Sequence, residues 1–385
     1  MIVGIPKEIL EYENRVAALP GEVRTYVQMG YTVLVEAGAG EGSLASDDEY
    51  RQAGAEIVAD VQDLFDRVDV VLKVKQPEVN KKAGKNEIDM MREGTVLVTF
   101  LHPAAPASHE NVVKLRERNI TSFTMDGIPR IPRAQIMDAL TSMSTITGYK
   151  SVLMAASTYP KFIPMVGTAI GATKPARAVV IGTGVVGLQA IATARRLGAQ
   201  VQAIDIRPDA RAEAESLSAK VAGFDVPKEL AVAEGGYAKA LPEEWLQKER
   251  EVLTPILAQT DIVIASALVP GEVAPALITE EMIAGMQAGS VIVDVAVDQG
   301  GNCACTEPGK QTVVRGVHVI GVMNIPGSVP VHASWLYAQN MLEFIKNLFR
   351  DGQLNLDDEI VKSTLVTHQG TIYHQGYLHA VGGVS

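Results

Sequence analysis

Residues 177–207 read RAVVIGTGVVGLQAIATARRLGAQVQAIDIR, and the rest of the chain is organised around them. The apolar run at 178–181 has the unbroken hydrophobicity of a strand buried on both faces of a parallel sheet. It breaks at Gly182, Gly184 and Gly187, and the apolar spacing then turns helical through Val186, Ala190, Ile191 and Ala194. A second apolar strand at 201–204 ends in Asp205. Strand, G-x-G-x-x-G, helix, strand and acid together make the dinucleotide fingerprint. Gly182 permits the tight turn, Gly184 lets a pyrophosphate approach the backbone, and Gly187 lets helix and strand pack closely. The N–H groups of Val185 and Val186 at the helix start, with the positive end of the helix dipole, suit the phosphates. Asp205 stands where a carboxylate accepts from the adenosine ribose hydroxyls and repels a 2′-phosphate, which favours NAD over NADP. Arg207, two residues on, weakens that preference without reversing it.

Composition narrows the remaining choices. At 385 residues the chain is long enough for two domains, and 47% hydrophobic residues supply their cores. A net charge of −11 argues against nucleic acid or an anionic membrane as partner, since both need basic patches. The two cysteines, Cys303 and Cys305, are one residue apart and have no histidine beside them. They read as reduced loop thiols in a cytosolic protein rather than a disulfide or a zinc site. The N-terminus opens on a strand, with no signal peptide. The most apolar stretch, 151–171, is interrupted by Pro160, Lys161 and Pro164, so no direct membrane insertion is expected.

Strand and helix signals alternate from the first residue. Strands are expected at 2–5, 31–35, 55–58, 70–74, 95–101 and 121–125, with helices at 21–29, 47–53, 61–67, 87–92 and 109–118. Such alternation implies an α/β fold: two Rossmann-like, doubly wound parallel-sheet domains. A long helix from about 133 to 157 and a second at 335–349 are expected to cross between them, framing a cleft for a ligand. The expected division is 1–136 plus 327–385 for one domain and 137–326 for the nucleotide domain, with further strands at 261–266, 290–296 and 317–322. The tail at 364–366 and 370–373 should complete the first domain. Between Asp205 and Asp261 lie more residues than the ~30 of a plain βαβ unit. There Glu234, Gly235, Gly236 and Tyr237 have the composition of a mobile loop tip.

These motifs resemble the alanine dehydrogenase/transhydrogenase family over nearly the whole length. GIPKE, ENRVAALP and EAGAG at the start are shared with both branches, as are ALVPGEVAPALITEEM and GSVIVDVAVDQGG further on. PRIPRAQIMDAL, DIRPDARAE, EGGYAK and GGNCACTEPGK favour the branch of proton-translocating nicotinamide nucleotide transhydrogenases, specifically their NAD(H)-binding alpha subunit in its split form. The resemblance implies NAD(H) as cofactor and a homodimer. It also implies partner polypeptides, an NADP(H)-binding beta subunit and a membrane-spanning subunit, so the chain would be cytoplasmic and peripheral to the inner membrane. Carried over by position, Arg130, Arg133, Gln135 and Asp138 match the loop that holds and orients the nicotinamide. Asp205, Ile206 and Arg207 match the adenosine end, Gly236 and Tyr237 the mobile loop, and Ala267 and Leu268 a further nucleotide contact. Hydride would pass from NADH here to NADP+ on a partner, with no general acid required.

A second reading runs through four residues that match alanine dehydrogenase active-site positions: Arg15, Lys75, His102 and Asp298. Oxidative deamination of alanine needs cations for the carboxylate and an acid/base for the proton. Taken singly, the four read more simply as a surface ion-pair partner, a solvated lysine, a loop histidine and a turn former. Together they suggest a substrate pocket, vestigial in a transhydrogenase. A non-catalytic NAD sensor is the third reading.

Overall fold

The computed structural model describes residues 1–223, 225–233, 236–269 and 272–382. It divides into two units, Met1–Met143 with Pro326–Ser385, and Ser144–Ile325. In the second unit, strand Arg177–Ile181 pairs in parallel with Gln200–Ile204 on one side and Ile262–Ala265 on the other. Lys220–Val221 extends the first side, and Val291–Asp294 then Val317–Ile320 extend the second. Only the edge strand Gln311–Val314 runs antiparallel.

Side chains alternate across this sheet. Ala178, Val180, Ala203, Ile264 and Val293 pack on one face with Ala190, Ile191 and Ala194 of helix Val185–Arg196. Val179, Ile181, Ile204, Val263 and Ile292 pack on the other with Leu253 and Leu257 of helix Glu243–Leu257. Water is excluded from both faces, which is why the strands are apolar at nearly every position. Connections leave Arg177–Ile181 toward opposite sides, so a crevice opens at the carboxyl end of that strand.

The first unit has an eight-stranded sheet whose order runs Thr371–Ile372, Leu365–His368, Thr121–Thr124, Val96–Thr99, Val70–Leu72, Ile2–Ile5, Thr32–Glu36 and Glu56–Val58. Its core is parallel, and the strand from the C-terminal tail adds antiparallel to Thr121–Thr124. Helix Pro330–Leu348 sets Tyr337 against Phe100 and Phe344 against Phe123, with ring centroids 5.3 and 6.1 Å apart. The opposite core gathers Leu64 and Phe65 with Val112 and Leu115. Local signals set the helix starts. Asp60 and Asp358 accept backbone N–H groups as N-caps, Ser46 and Glu49 form a capping box, and Pro20 and Pro330 open their helices.

Two helices begin elsewhere than their sequence periodicity suggests. The helix expected from 133 spans Ala139–Thr158, preceded by a 3-10 turn, Pro132–Met137. Asp138 ends that turn and caps the helix, accepting from the N–H and hydroxyl of Thr141 at 2.8 and 2.6 Å. The helix expected at 335–349 starts at Pro330, whose fixed φ suits a first turn. The surplus between Asp205 and Asp261 folds into helices Pro208–Ser216, Lys228–Ala231 and Glu243–Leu257. Val232 and Ala238 bridge antiparallel at the base of the loop tip. Glu234 and Gly235 lie outside the described residues. Among the described residues no helix is long and apolar enough to cross a membrane.

Candidate functional site

Each fingerprint glycine has a physical duty, and the duties differ. Gly182 has φ +83°, and a Cβ there would sit 2.8 Å from the N and Cα of Ala267. Gly187 lies so close to the turn that a Cβ would fall 2.0 Å from the Gly182 carbonyl oxygen. At Gly184 a Cβ would meet nothing within 4 Å. Gly184 is also the N-cap of helix Val185–Arg196 and contributes no side-chain cap. The helix therefore presents its first-turn N–H groups, Val185 and Val186 included, as an anion-binding end.

Asp205 is more heavily used than its sequence position suggests. Its carboxylate accepts from the N–H and hydroxyl of Thr183 at 2.7 and 3.1 Å, which ties it to the glycine turn. Arg207 donates its own N–H at 2.8 Å and forks its guanidinium onto both oxygens at 3.0 and 2.9 Å. A carboxylate has about four lone-pair sites, so Asp205 is fully engaged. The expectation of a free acceptor for ribose hydroxyls is therefore corrected: the acid is committed to the turn and to Arg207. Burial opposes the Arg207 charge, and the Asp205 carboxylate outweighs it, raising the guanidinium pKa. Arg207 also donates to the Gly236 carbonyl at 3.2 Å, so the loop tip hangs from the same side chain. Tyr237, expected as an exposed aromatic, is half-buried. Ile206, Ala267 and Leu268 are half-buried around the same crevice.

In the loop 130–138, Arg133 is anchored within the first unit. Its guanidinium reaches Asp358 at 2.9 Å, Glu359 at 3.1 Å and Asn347 at 3.2 Å. Asn340 donates to the Ile136 carbonyl at 2.8 Å. Arg130 and Gln135 stay on the exposed side of the loop.

Three of the four dehydrogenase-like residues lie in the first unit. Arg15 is 3% exposed and forked by Glu13 at 2.7 and 2.5 Å, which overturns its reading as a surface ion-pair partner. Lys75 is half-buried just past strand Val70–Leu72, and its N–H approaches Glu8 at 3.4 Å. Buried Lys73 sits between Glu8 at 3.4 Å and Glu87 at 3.0 Å. Burial pushes the Glu8 carboxyl up to about 7 even with Lys73 pulling it down. His102 takes a left-handed φ of +47° and sets its Nδ1 3.2 Å from Asp126. Burial opposes the Asp126 charge, but the imidazole and the Thr124 hydroxyl hold that carboxyl at about 2. Asp298, in the second unit, is exposed on the 3-10 turn Val295–Gln299.

Sequence reading missed three contributors. A Cβ at Gly148 would fall 2.2 Å from the Val186 carbonyl, so this glycine lets a second helix lie against the fingerprint helix. A lone glycine in an apolar helix carries no signal of that. Glu249 is 5% exposed and accepts no hydrogen bond from any described residue. It shares the inward stripe of its helix with Leu246, Leu253 and Leu257. Burial first, then the Asp205 charge, push its carboxyl up to about 7. A glutamate where helical spacing calls for an apolar residue was the available clue. Asn302, the third, is fully buried behind Ala267.

A glycine turn at a switch point, an uncapped helix behind it and an acid closing the turn define a doubly wound, dinucleotide-binding protein. The chain belongs to the alanine dehydrogenase/PNT family. The N-terminal domain of that family matches residues 4–147 and the C-terminal domain residues 151–375. It is 43% identical over 379 residues to the first of the split alpha-subunit polypeptides of NAD(P) transhydrogenase from Rhodospirillum rubrum, covering 97% of this chain and 98% of that one. The crystal structure of a transhydrogenase from Sinorhizobium meliloti superposes with a TM-score of 0.85 at 40% identity, over 97% of this chain and 100% of that one. An L-alanine dehydrogenase structure gives 0.82 at 30% identity, with both chains fully covered. The resemblance read from the motifs, and the α/β fold it implied, are borne out.

Proposed function

We propose that this chain is the NAD(H)-binding subunit of a proton-translocating transhydrogenase. The observation that carries this is the end-to-end match, at 43% identity, to a protein named as a portion of such an enzyme's alpha subunit. The turn fits the cofactor: Gly184 leaves room for a pyrophosphate, and the uncapped helix offers it N–H donors. Residues 137–326 are the nucleotide domain, and 1–136 with 327–385 the N-terminal domain. Gly182, Gly184, Val185, Val186 and Gly187 form the phosphate turn, with Ala267 and Leu268 beside it. Asp205, Ile206 and Arg207 face the adenosine end, where ribose hydroxyls exchange with the Arg207 fork. Gly236 and Tyr237 close over the nucleotide.

Arg130, Gln135 and Asp138 orient the nicotinamide, and Arg133 anchors their loop. Hydride passes ring to ring to NADP+ on an NADP(H)-binding beta subunit. This chain therefore has to align the ring and exclude water, with no acid to supply. The chain forms a homodimer and reaches the cytoplasmic side of the inner membrane through a membrane-spanning subunit. The buried Arg15 beside the strand-end Lys75 and the His102–Asp126 pair supports alanine dehydrogenation as the second reading.

One assay separates them. The purified chain should speed hydride exchange between NADH and an NADP+ analogue only once an NADP(H)-binding partner is added. Reduction of NAD+ by L-alanine with the chain alone would overturn this in favour of the dehydrogenase. NADH binding with neither activity would favour a sensor.

A further inference from the structure

Behind the glycine turn lies a buried polar hub that no nucleotide motif includes. Asn302 is 0% exposed and every one of its polar groups is used. Its Oδ1 accepts from Ala267 N–H at 2.9 Å, and its Nδ2 donates to the carbonyls of Ala267 and Pro275, both at 2.9 Å. Only one orientation of the amide satisfies an N–H and two carbonyls at once. The Asn302 carbonyl accepts from Leu277 and Ile278, and its N–H donates to Asp294 at 3.1 Å. Asp294, also 0% exposed, takes in addition the N–H groups of Ala296 and Cys303 and the Thr306 hydroxyl. At the far end, Ala267 is the residue that presses on Gly182, leaving no space for a Cβ there. The route from the end of strand Val291–Asp294 to the glycine turn is thus continuous: Asp294, Asn302, Ala267, Gly182.

We propose that Asn302, held by Asp294, is the positioning residue of the dinucleotide turn. It grips both sides of the Ala267 peptide, and so sets the wall against which the turn meets a pyrophosphate. The inference rests on the nucleotide-site reading above. An asparagine is required because the site needs one acceptor beside two donors. Aspartate has the same shape and would aim a carboxylate oxygen at two carbonyls, while alanine would leave a buried N–H and two carbonyls unpaired.

The test uses the full-length chain with NADH as probe, followed by fluorescence titration, and thermal melting in parallel. Asn302→Asp should raise the NADH Kd by about tenfold or more at a temperature where the variant is still folded. In the assembled enzyme the loss should appear in the KM for NADH, with kcat within about twofold at saturation. Thr306→Val, which removes one donor from Asp294, should raise the Kd by about threefold, and Thr306→Ser should restore it. A lowered Tm with an unchanged Kd in Asn302→Asp would overturn the proposal. Should Asn302→Asp fail to fold, an unchanged Kd in Thr306→Val would do so. A parent chain that binds no NADH would instead sink the nucleotide-site reading.

Discussion

Both units put an acid at the end of a second parallel strand and use it on the turn after the first. In the first unit Glu36 accepts from the Lys7 N–H at 2.8 Å, and in the second Asp205 accepts from the Thr183 N–H at 2.7 Å. Lys7 and Thr183 each stand two residues past the strand, after Ile2–Ile5 and Arg177–Ile181. The residue between is Pro6 in one case and Gly182 in the other. Beyond it the first unit fills its strand ends with side chains: Glu8 reaches back to the Val74 N–H at 2.6 Å and pairs with Lys73. The second has only Gly184, and a helix start left open. A strand-end acid therefore stiffens a turn in either setting. What separates a site from a scaffold is whether the turn's own N–H groups are kept for a ligand or satisfied internally.

Substitutions at matched places should split the two units. The largest effect is expected at Gly187→Ala, whose Cβ collides with a backbone oxygen that cannot yield. NADH affinity should fall by about 100-fold or more in a binding titration. Gly4→Ala, which meets only the Val68 and Leu64 side chains, should lower Tm and leave affinity unchanged. Equal losses of affinity would erase the distinction. Next comes Asp205→Asn. It loosens the Arg207 fork and lifts the repulsion of a 2′-phosphate, so the preference for NADH over NADPH should drop by about tenfold. Glu36→Gln should cost about 1–3 kcal/mol in denaturant unfolding, with the preference intact. An unaltered preference in the Asp205 variant would confine that acid to holding the turn.

Gln135→Asn should keep the NADH Kd within about twofold yet slow hydride transfer by about tenfold, since a shortened arm misplaces the ring. A large loss of affinity at normal rate would make Gln135 a binding residue only. The smallest effect is on stability. Glu249 has no lysine beside it as Glu8 has, and its carboxyl rises from the ordinary 4.5 to about 7 in the folded chain. Between those values the folded state holds a proton that the unfolded state has released. This group therefore costs stability as pH rises through that window, and its cost is constant above it. Glu249→Gln should raise Tm by a few degrees at pH 8 and change it little near pH 4.5. A shift of the same size at both values would mean that the carboxyl titrates normally.

Most of the strand order was open to a reader of the sequence, because burial on both faces writes an unbroken apolar run. Strands such as Val96–Thr99 and Ile262–Ala265 are wholly buried. The glycine turn was equally legible, since its spacing is itself a steric requirement. What escaped were relations between distant residues. The helix start at Ala139 depends on Asp138 capping rather than on periodicity, which runs on through Pro132. Arg133 has the character of a ligand-facing cation until Asp358 and Glu359, more than 200 positions away, are seen to hold it. The antiparallel edge strand Gln311–Val314 alternates weakly in burial and lay hidden in a stretch read only as a motif. Asp205 was placed correctly but not its workload, because a sequence names an acid without naming its donors.

Gly184 carries one last consequence. The surrounding fold tolerates a methyl group there, for φ is an ordinary −71° and the neighbouring space is clear. Alanine at 184 should therefore melt like the parent and pass any screen that counts surviving folded molecules. Whatever keeps that position bare is exerted from outside the polypeptide, by the cargo, and only a selection that demands cargo would detect the change.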